Sequence, residues 1–201
     1  MRALPAFTLL LASCGGGAAE NESAPARERG KPVVAPAAAL SPAAAPAPTS
    51  PLGKTVGCAP DEERIFSCKV ASGKRIAICG TGERDAEYRF GESTPELVLR
   101  GGRWASVPYS GGGEAQVAFA NGTTRYIVFS RMVRTNFAAG EPNNPAISDG
   151  VMVLDGEKVI GLQLCDDADT VSIDYDLAEA HFPRADELFS WETDRADRRT
   201  R

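Results

Sequence analysis

Between positions 58 and 191 short runs of alternating apolar and polar residues are separated by glycine-rich turns, the period-two signature of half-buried β-strands. The pattern predicts strands over 64–70, 74–79, 87–90, 96–100, 104–109, 115–120, 124–132, 151–154 and 159–165. No helical stretch intervenes between them. A mainly β chain follows, as an antiparallel β-sandwich or small barrel rather than a βαβ fold. From position 176 onward the period lengthens, with Leu177, Ala180, His181, Leu188 and Trp191 at helical spacing interrupted by Pro183. One or two short helices packed on the sheet are predicted there, with Asp176 as N-cap. Residues 192–201 alternate in charge and read as a flexible tail.

Turn residues set the expected pairing. Asn121-Gly122 can supply the two left-handed positions of a type I′ turn, which opposes Val117 to Tyr126 and Phe119 to Thr124. Ile127 and Phe129 then occupy the other face. Large apolar groups on both faces place this ribbon in the middle of a sheet, covered on each side. A turn at Asp155-Gly156 is expected to align Val151, Val153, Ile160, Leu162 and Leu164 toward the core. A tight turn at Ser72-Gly73 would set Cys68 opposite Ala77. Gly101-Gly102 and Gly111-Gly112-Gly113 read as hairpin turns, because neither opens a helix nor precedes the Lys-Ser or Lys-Thr pair of a phosphate loop.

The first residues carry a different pattern. Arg2 precedes an apolar run over 3–12 that is too short to span a bilayer, so residues 1–13 read as a signal peptide. Leu11-Ala12-Ser13-Cys14 resembles the lipobox of bacterial lipoproteins: an aliphatic residue, two small residues, then the modified Cys. The resemblance implies a diacylglyceryl group on the Cys14 thiol, cleavage before it, and a fatty acyl group on the new amine. Several acyl chains hold a protein at a membrane where one binds only marginally. Gly15, in place of the Asp that retains such proteins at the inner membrane, implies the outer membrane of the cell envelope, with the face left open. Residues 14–57 then form an Ala/Pro-rich disordered tether, since seven prolines between 25 and 51 break any helix the alanines would form. The globular domain is drawn over 58–191.

Charge and cysteines narrow the partners. A net charge of -5 gives no footprint for nucleic acid, and a single His leaves few routes to general-base chemistry near neutral pH. Cys58, Cys68, Cys79 and Cys165 are an even set in an exported chain, so two disulfides are expected, with all three pairings open. Spacings of 10, 11 and 86 residues lack the short pairs of structural zinc sites. The acidic stretch Asp166, Asp167, Asp169, Asp174, Asp176 fits no calcium loop and reads as a solvated turn. No cofactor or metal is therefore expected.

Catalytic constellations are missing in the same way. There is no Gly-x-Ser-x-Gly elbow, and His181 reads as a packed residue of the predicted helix. A hydrolase would have to pair carboxylates such as Glu83, Glu87, Asp166 or Asp174, and the sequence brings no two of them together. The long loop after position 134 offers Phe137, Asn143 and Asn144, and the turn before Gly111 offers Tyr109 and Ser110 as contact residues. The expectation is a non-enzymatic, lipid-anchored envelope protein that binds a protein or cell-wall partner. Lipid-anchored lysozyme inhibitors are similar in plan, which implies inhibition of a secreted hydrolase as an alternative. Their Ser-Gly-x-x-Tyr loop is matched only by Ser110-Gly111, with Glu114 where the Tyr would stand.

Overall fold

The computed structural model describes residues 55–196. The expected signal peptide, the lipidation site Cys14 and the tether as far as residue 54 lie outside the described residues, as do the last five residues of the tail. Among the described residues nine strands are present: β1 (Glu63–Lys69), β2 (Arg75–Gly82), β3 (Asp85–Gly91), β4 (Pro95–Leu99), β5 (Arg103–Tyr109), β6 (Gly112–Asn121), β7 (Thr124–Val133), β8 (Ala146–Asp155) and β9 (Lys158–Leu164). They form two antiparallel sheets in sequential order, β1-β2-β3-β4 and β5-β6-β7-β8-β9. The mainly β, sandwich-like class read from the alternation is the observed one.

Strand alternation explains the core between the sheets. Phe66, Ile76, Ile78, Tyr88 and Leu99 face Trp104, Val117, Phe119, Val128 and Val151 in one buried cluster. Tyr88 joins the sheets through rings 5.5 Å from Phe119 and 5.9 Å from Tyr126. Each such side chain contributes about 1.5–3 kcal/mol when fully buried. β7 lies in the middle of the larger sheet, and Ile127 and Phe129 on its other face pack with Met152, Leu154 and Ala196. The double-sided burial expected for the β6–β7 ribbon is thus observed.

The registers differ from expectation in an instructive way. Phe119 pairs with Tyr126 and Val117 with Val128, because the loop is Gly122-Thr123 rather than Asn121-Gly122. Of these two residues only Gly122 has positive φ, at 62°, as a type II′ turn requires. The shift is two residues, so every side chain keeps its predicted face. The next hairpin also turns one residue later, at Gly156-Glu157, and a bulge follows between Val153 and Leu154. That odd shift reverses the faces. Leu162 and Leu164 pack outward with Met152 and Leu154, not with Val151, and Ile160 is 55% exposed. Near the start of the chain a three-residue loop, 71–73, sets Cys68 opposite Ile76 instead of Ala77, with Gly73 in the left-handed region. Gly101-Gly102 is a passage from β4 to β5 in the other sheet, not a hairpin turn.

One α-helix is described, α1 (Tyr175–His181). Its N-cap is Asp174, whose carboxylate accepts from Leu177 N at 3.0 Å, while Asp176 sits in the first turn. Phe182 leaves in an extended conformation, as the residue before Pro183 must. Of the one or two helices expected, α1 is the one present; the chain after Pro183 runs extended along β5, where Trp104 N donates to Pro183 O (3.1 Å) and Ala185 N to Trp104 O (2.7 Å). A 3-10 turn follows at Glu192–Ala196, in the segment expected to be a frayed tail; Thr193 and Ala196 are fully buried, and Trp191 is 62% exposed.

Among the described residues Cys58 is bonded to Cys79 and Cys68 to Cys165. The second bridge ties β1 to the residue after β9, where Asp166 N also donates to Lys69 O (2.8 Å). Ser67 and Val171 exchange backbone hydrogen bonds of 3.1 and 2.8 Å, which covers the free edge of β1.

Each sheet also hides polar groups on its outer face. Residues 55–62 strap the smaller sheet, with Val56 buried although the sequence placed it in the tether. Beneath them all five N–H groups of Arg89 are used: Nε and Nη2 donate to Glu87, Nη1 and Nη2 to Glu62, and Nη1 to Gly57 O. Arg100 bonds Glu87 and Asp85 from the solvent side. On the larger sheet residues 189–196 form a second strap. Gln116 accepts from Phe189 N (2.8 Å) and donates to Ser190 O (2.9 Å), while Thr193 Oγ1 and Tyr109 OH each donate to the buried Glu114 at 2.5 Å.

Candidate functional site

The two segments singled out in the sequence lie together at one end of the larger sheet. A Cβ on Gly111 would come within 3.1 Å of Arg134 Cβ and of Asn143 Nδ2, so the β5–β6 turn and the β7–β8 loop touch. The loop is shorter than predicted, because β8 begins at Ala146. It is held by its own polar groups. Asn136 Nδ2 donates to Pro142 O (3.0 Å), its Oδ1 accepts from Ala138 N (3.1 Å), and Asn143 O accepts from the amides of Thr135 and Asn136. Thr135 Oγ1 donates to Asn144 O, and Asn144 adopts a positive φ of 44°, which Asn tolerates better than most residues.

The predicted contact residues therefore divide. Phe137 projects from the loop at 68% exposure with the Arg134 guanidinium 5.1 Å from its ring centre, and Ser110 is exposed at the turn. Asn143 and Asn144 use their backbone carbonyls inside the loop. Tyr109 is not a free anchor: its hydroxyl is bound to Glu114, and burial together with that carboxylate pushes its pKa up.

Sequence reasoning missed the apolar groups beside this loop. Met132 and Ile147 pair across β7 and β8 and are both exposed, Ile147 at 57%. With Tyr175 at the start of α1 they line a groove of about 310 Å³ whose floor is Gly112-Gly113. A Cβ on Gly112 would lie 2.1 Å from Met132 O, so only glycine fits there. Burial and the charge of Glu114 raise the pKa of the Tyr175 phenol. Ile147 fell inside the predicted loop, which is why its place on a strand was not legible.

Ile147 and Ser172 also border a neighbouring pocket of about 320 Å³, lined further by Asp149, Cys165, Asp167 and Thr170. Asp149 is only 7% exposed, and its Oδ1 has no hydrogen-bond partner among the described residues. A larger groove of about 650 Å³ lies between the β1–β2 turn and β9, but its Lys74 is already bound to Glu96 at 2.6 Å and lies over Phe90.

The other candidates are not brought into one cleft. Glu87 is buried against Arg89 and Arg100, whereas Glu83, Asp166 and Asp174 are exposed on separate segments. His181 is buried in the packing of α1, as expected; its Nδ1 donates to Asp85 O (3.1 Å) and its Nε2 lies 2.6 Å from Glu63 Oε2. Among the described residues three potential metal ligands gather at Cys58, Glu62 and Cys79, but the two sulfurs are joined to each other. No family model, curated protein or solved structure matches the chain.

Proposed function

We propose that the chain is a lipid-anchored protein of the bacterial envelope whose β-domain binds a partner, without catalysis, through the loop end of its larger sheet. The observation that carries this reading is the exposed apolar set Met132, Ile147 and Tyr175 around one groove, with the exposed Phe137 on the loop that joins β7 to β8. Exposed apolar groups clustered on a soluble domain mark an interaction site, and Met132 and Ile147 are held on strands, which position such groups more rigidly than loops do. The lipobox-like Leu11-Ala12-Ser13-Cys14 supplies the anchor. The aromatic and sulfur-containing groups favour a protein partner over a wall polymer.

A photo-crosslinking residue placed at Phe137 or Ile147 of the full chain in its own cells tests the site, with Ile160 on the exposed edge of β9 as control. A discrete adduct from the first two and none from Ile160 is expected; equal adducts from all three positions would refute the site. Mass spectrometry of the mature N-terminus tests the anchor, for which an acylated Cys14 is expected and an unmodified start elsewhere is the contrary result. The exposed Ser110-Gly111 turn at this same end favours, as second reading, inhibition of a secreted hydrolase such as lysozyme. Unchanged lysozyme rates at micromolar protein would remove it.

A further inference from the structure

The pocket beside the loop end contains a group that the fold itself leaves unsatisfied. Asp149 lies on β8, more than nine-tenths buried, and its buried Oδ1 accepts no hydrogen bond among the described residues. Burying a carboxylate oxygen without a partner is costly, so such a group calls for a hydrogen-bond donor or a cation. The second carboxylate of the pocket is already committed: Asp167 accepts from Lys69 N (3.0 Å) through Oδ2 and from Thr170 Oγ1 through Oδ1. Alternation along β8 turns Ile147 to the same face as Asp149 and Ser148 to the other. The free acceptors converging on the pocket are thus the Asp149 carboxylate and the hydroxyl oxygens of Thr170 and Ser172.

Three acceptors match one chemistry better than others. A calcium ion takes six to eight oxygen ligands. An ammonium group has three donors and no acceptor, and its alkyl stem needs apolar walls. Ile147, Leu164 and the disulfide-bonded Cys165 provide such walls. We propose that this pocket receives the alkylammonium head of a lysine side chain from a protein partner, with Asp149 as its counter-ion. The proposal deepens the binding reading above, since Ile147 and Ser172 line both this pocket and the apolar groove.

The test is a titration of the isotope-labelled full chain with the capped peptide acetyl-Gly-Lys-Gly-amide, followed by amide shifts. Saturable shifts confined to residues 147–150 and 165–172 are expected, absent with the norleucine peptide and weakened about tenfold or more by Asp149→Asn. Equal shifts with norleucine, no shifts, or saturation of the same residues by calcium chloride in place of the lysine peptide would each overturn the assignment. Thermal unfolding provides a second readout. Asp149→Asn is expected to raise the Tm, because an unpaired buried charge is removed; a lower Tm would mean that the carboxylate serves a lysine of the chain itself, such as Lys31 or Lys54, and would also overturn it. Failure of crosslinking at Phe137 would count against the wider reading without deciding this one.

Discussion

The smaller sheet hides its outer face under residues 55–62, held by a disulfide and by an arginine between two glutamates, whereas the larger sheet is covered by residues 189–196 through hydrogen bonds and one peripheral ion pair. The first strap is covalent and strongly charged. The second is zipped by the amide of Gln116 and by hydroxyl groups that donate to Glu114. Desolvating charge is expensive, and the partnered geometry of Arg89 compensates only while both carboxylates are present. Desolvation by burial would lower the Arg89 pKa, but hydrogen bonds and charge from Glu62 and Glu87 more than offset it and hold it above its usual value. The second strap has no covalent bond and covers one ion pair, Arg131–Glu114 at 3.6 Å, where the first covers an arginine between two glutamates, so it costs less to open. The carboxy-terminal strap should therefore be the part of the sandwich that opens locally, and the amino-terminal strap should open only with the whole domain.

The largest effect is expected where charge is buried deepest. Arg89→Met removes the guanidinium that Glu62 and Glu87 share and leaves Glu87 its contact with the half-exposed Arg100, at a cost of about 3–5 kcal/mol in urea unfolding. A cost under about 1 kcal/mol would show that the network is not a unit. Next is the joint replacement Cys58→Ala with Cys79→Ala. The bridge spans 21 residues, and the chain-entropy argument gives about 3 kcal/mol. If the amino-terminal strap then exchanges its amides as fast as residues 189–196, the covalent bond is the source of the contrast between the straps. Slow exchange in the double variant would assign that contrast to Arg89 instead.

Gln116→Leu strikes the other strap. It removes the acceptor for Phe189 N and the donor to Ser190 O, both in partly buried surroundings. A loss of about 1–3 kcal/mol is expected. Amide exchange should rise across 189–196 and stay unchanged across 55–62. Equal acceleration in both straps would break the claim that they open independently.

These networks also mark the limit of what the sequence carries. Apolar alternation located all nine strands, and a two-residue shift at Gly122-Thr123 left every face of the β6–β7 ribbon as predicted. One bulge beside Leu154 was enough to reverse the faces of β9, because a single inserted residue exchanges inside for outside and leaves no mark in composition. Glu87-Tyr88-Arg89 and Glu114-Ala115-Gln116 have the polar alternation of a solvated face. Their partners, Glu62 and Thr193, lie 27 and 79 residues away, so burial of these pairs is a tertiary fact. The binding end was half legible. Loop length pointed to Phe137, but Ile147, Tyr175 and Asp149 became neighbours only through β8 and the return of the chain beside it.

The smallest effect concerns pH and separates the straps chemically. Tyr109 donates to Glu114 at 2.5 Å beneath the carboxy-terminal strap, and burial first, then the Glu114 hydrogen bond and charge, raise its pKa against the opposing Arg131. A tyrosine whose folded pKa exceeds its unfolded value, about 10, keeps its proton longer in the native state. Its contribution to stability is complete below about pH 10 and is lost as the pH rises through the folded pKa. Tyr88 in the core is shifted the same way by burial, with Tyr126 adding to it, so the whole domain should weaken at alkaline pH. Tyr109→Phe removes one of these contributions. It should lower stability near neutral pH by about 1 kcal/mol or less and make the decline beyond about pH 10 shallower than in the parent chain. No such titration is expected beneath the amino-terminal strap, where Arg89 keeps its charge. Parallel alkaline declines in the parent and Tyr109→Phe chains would show that Glu114 does not hold the phenol protonated, and would leave the zipped strap without its chemical distinction from the stapled one.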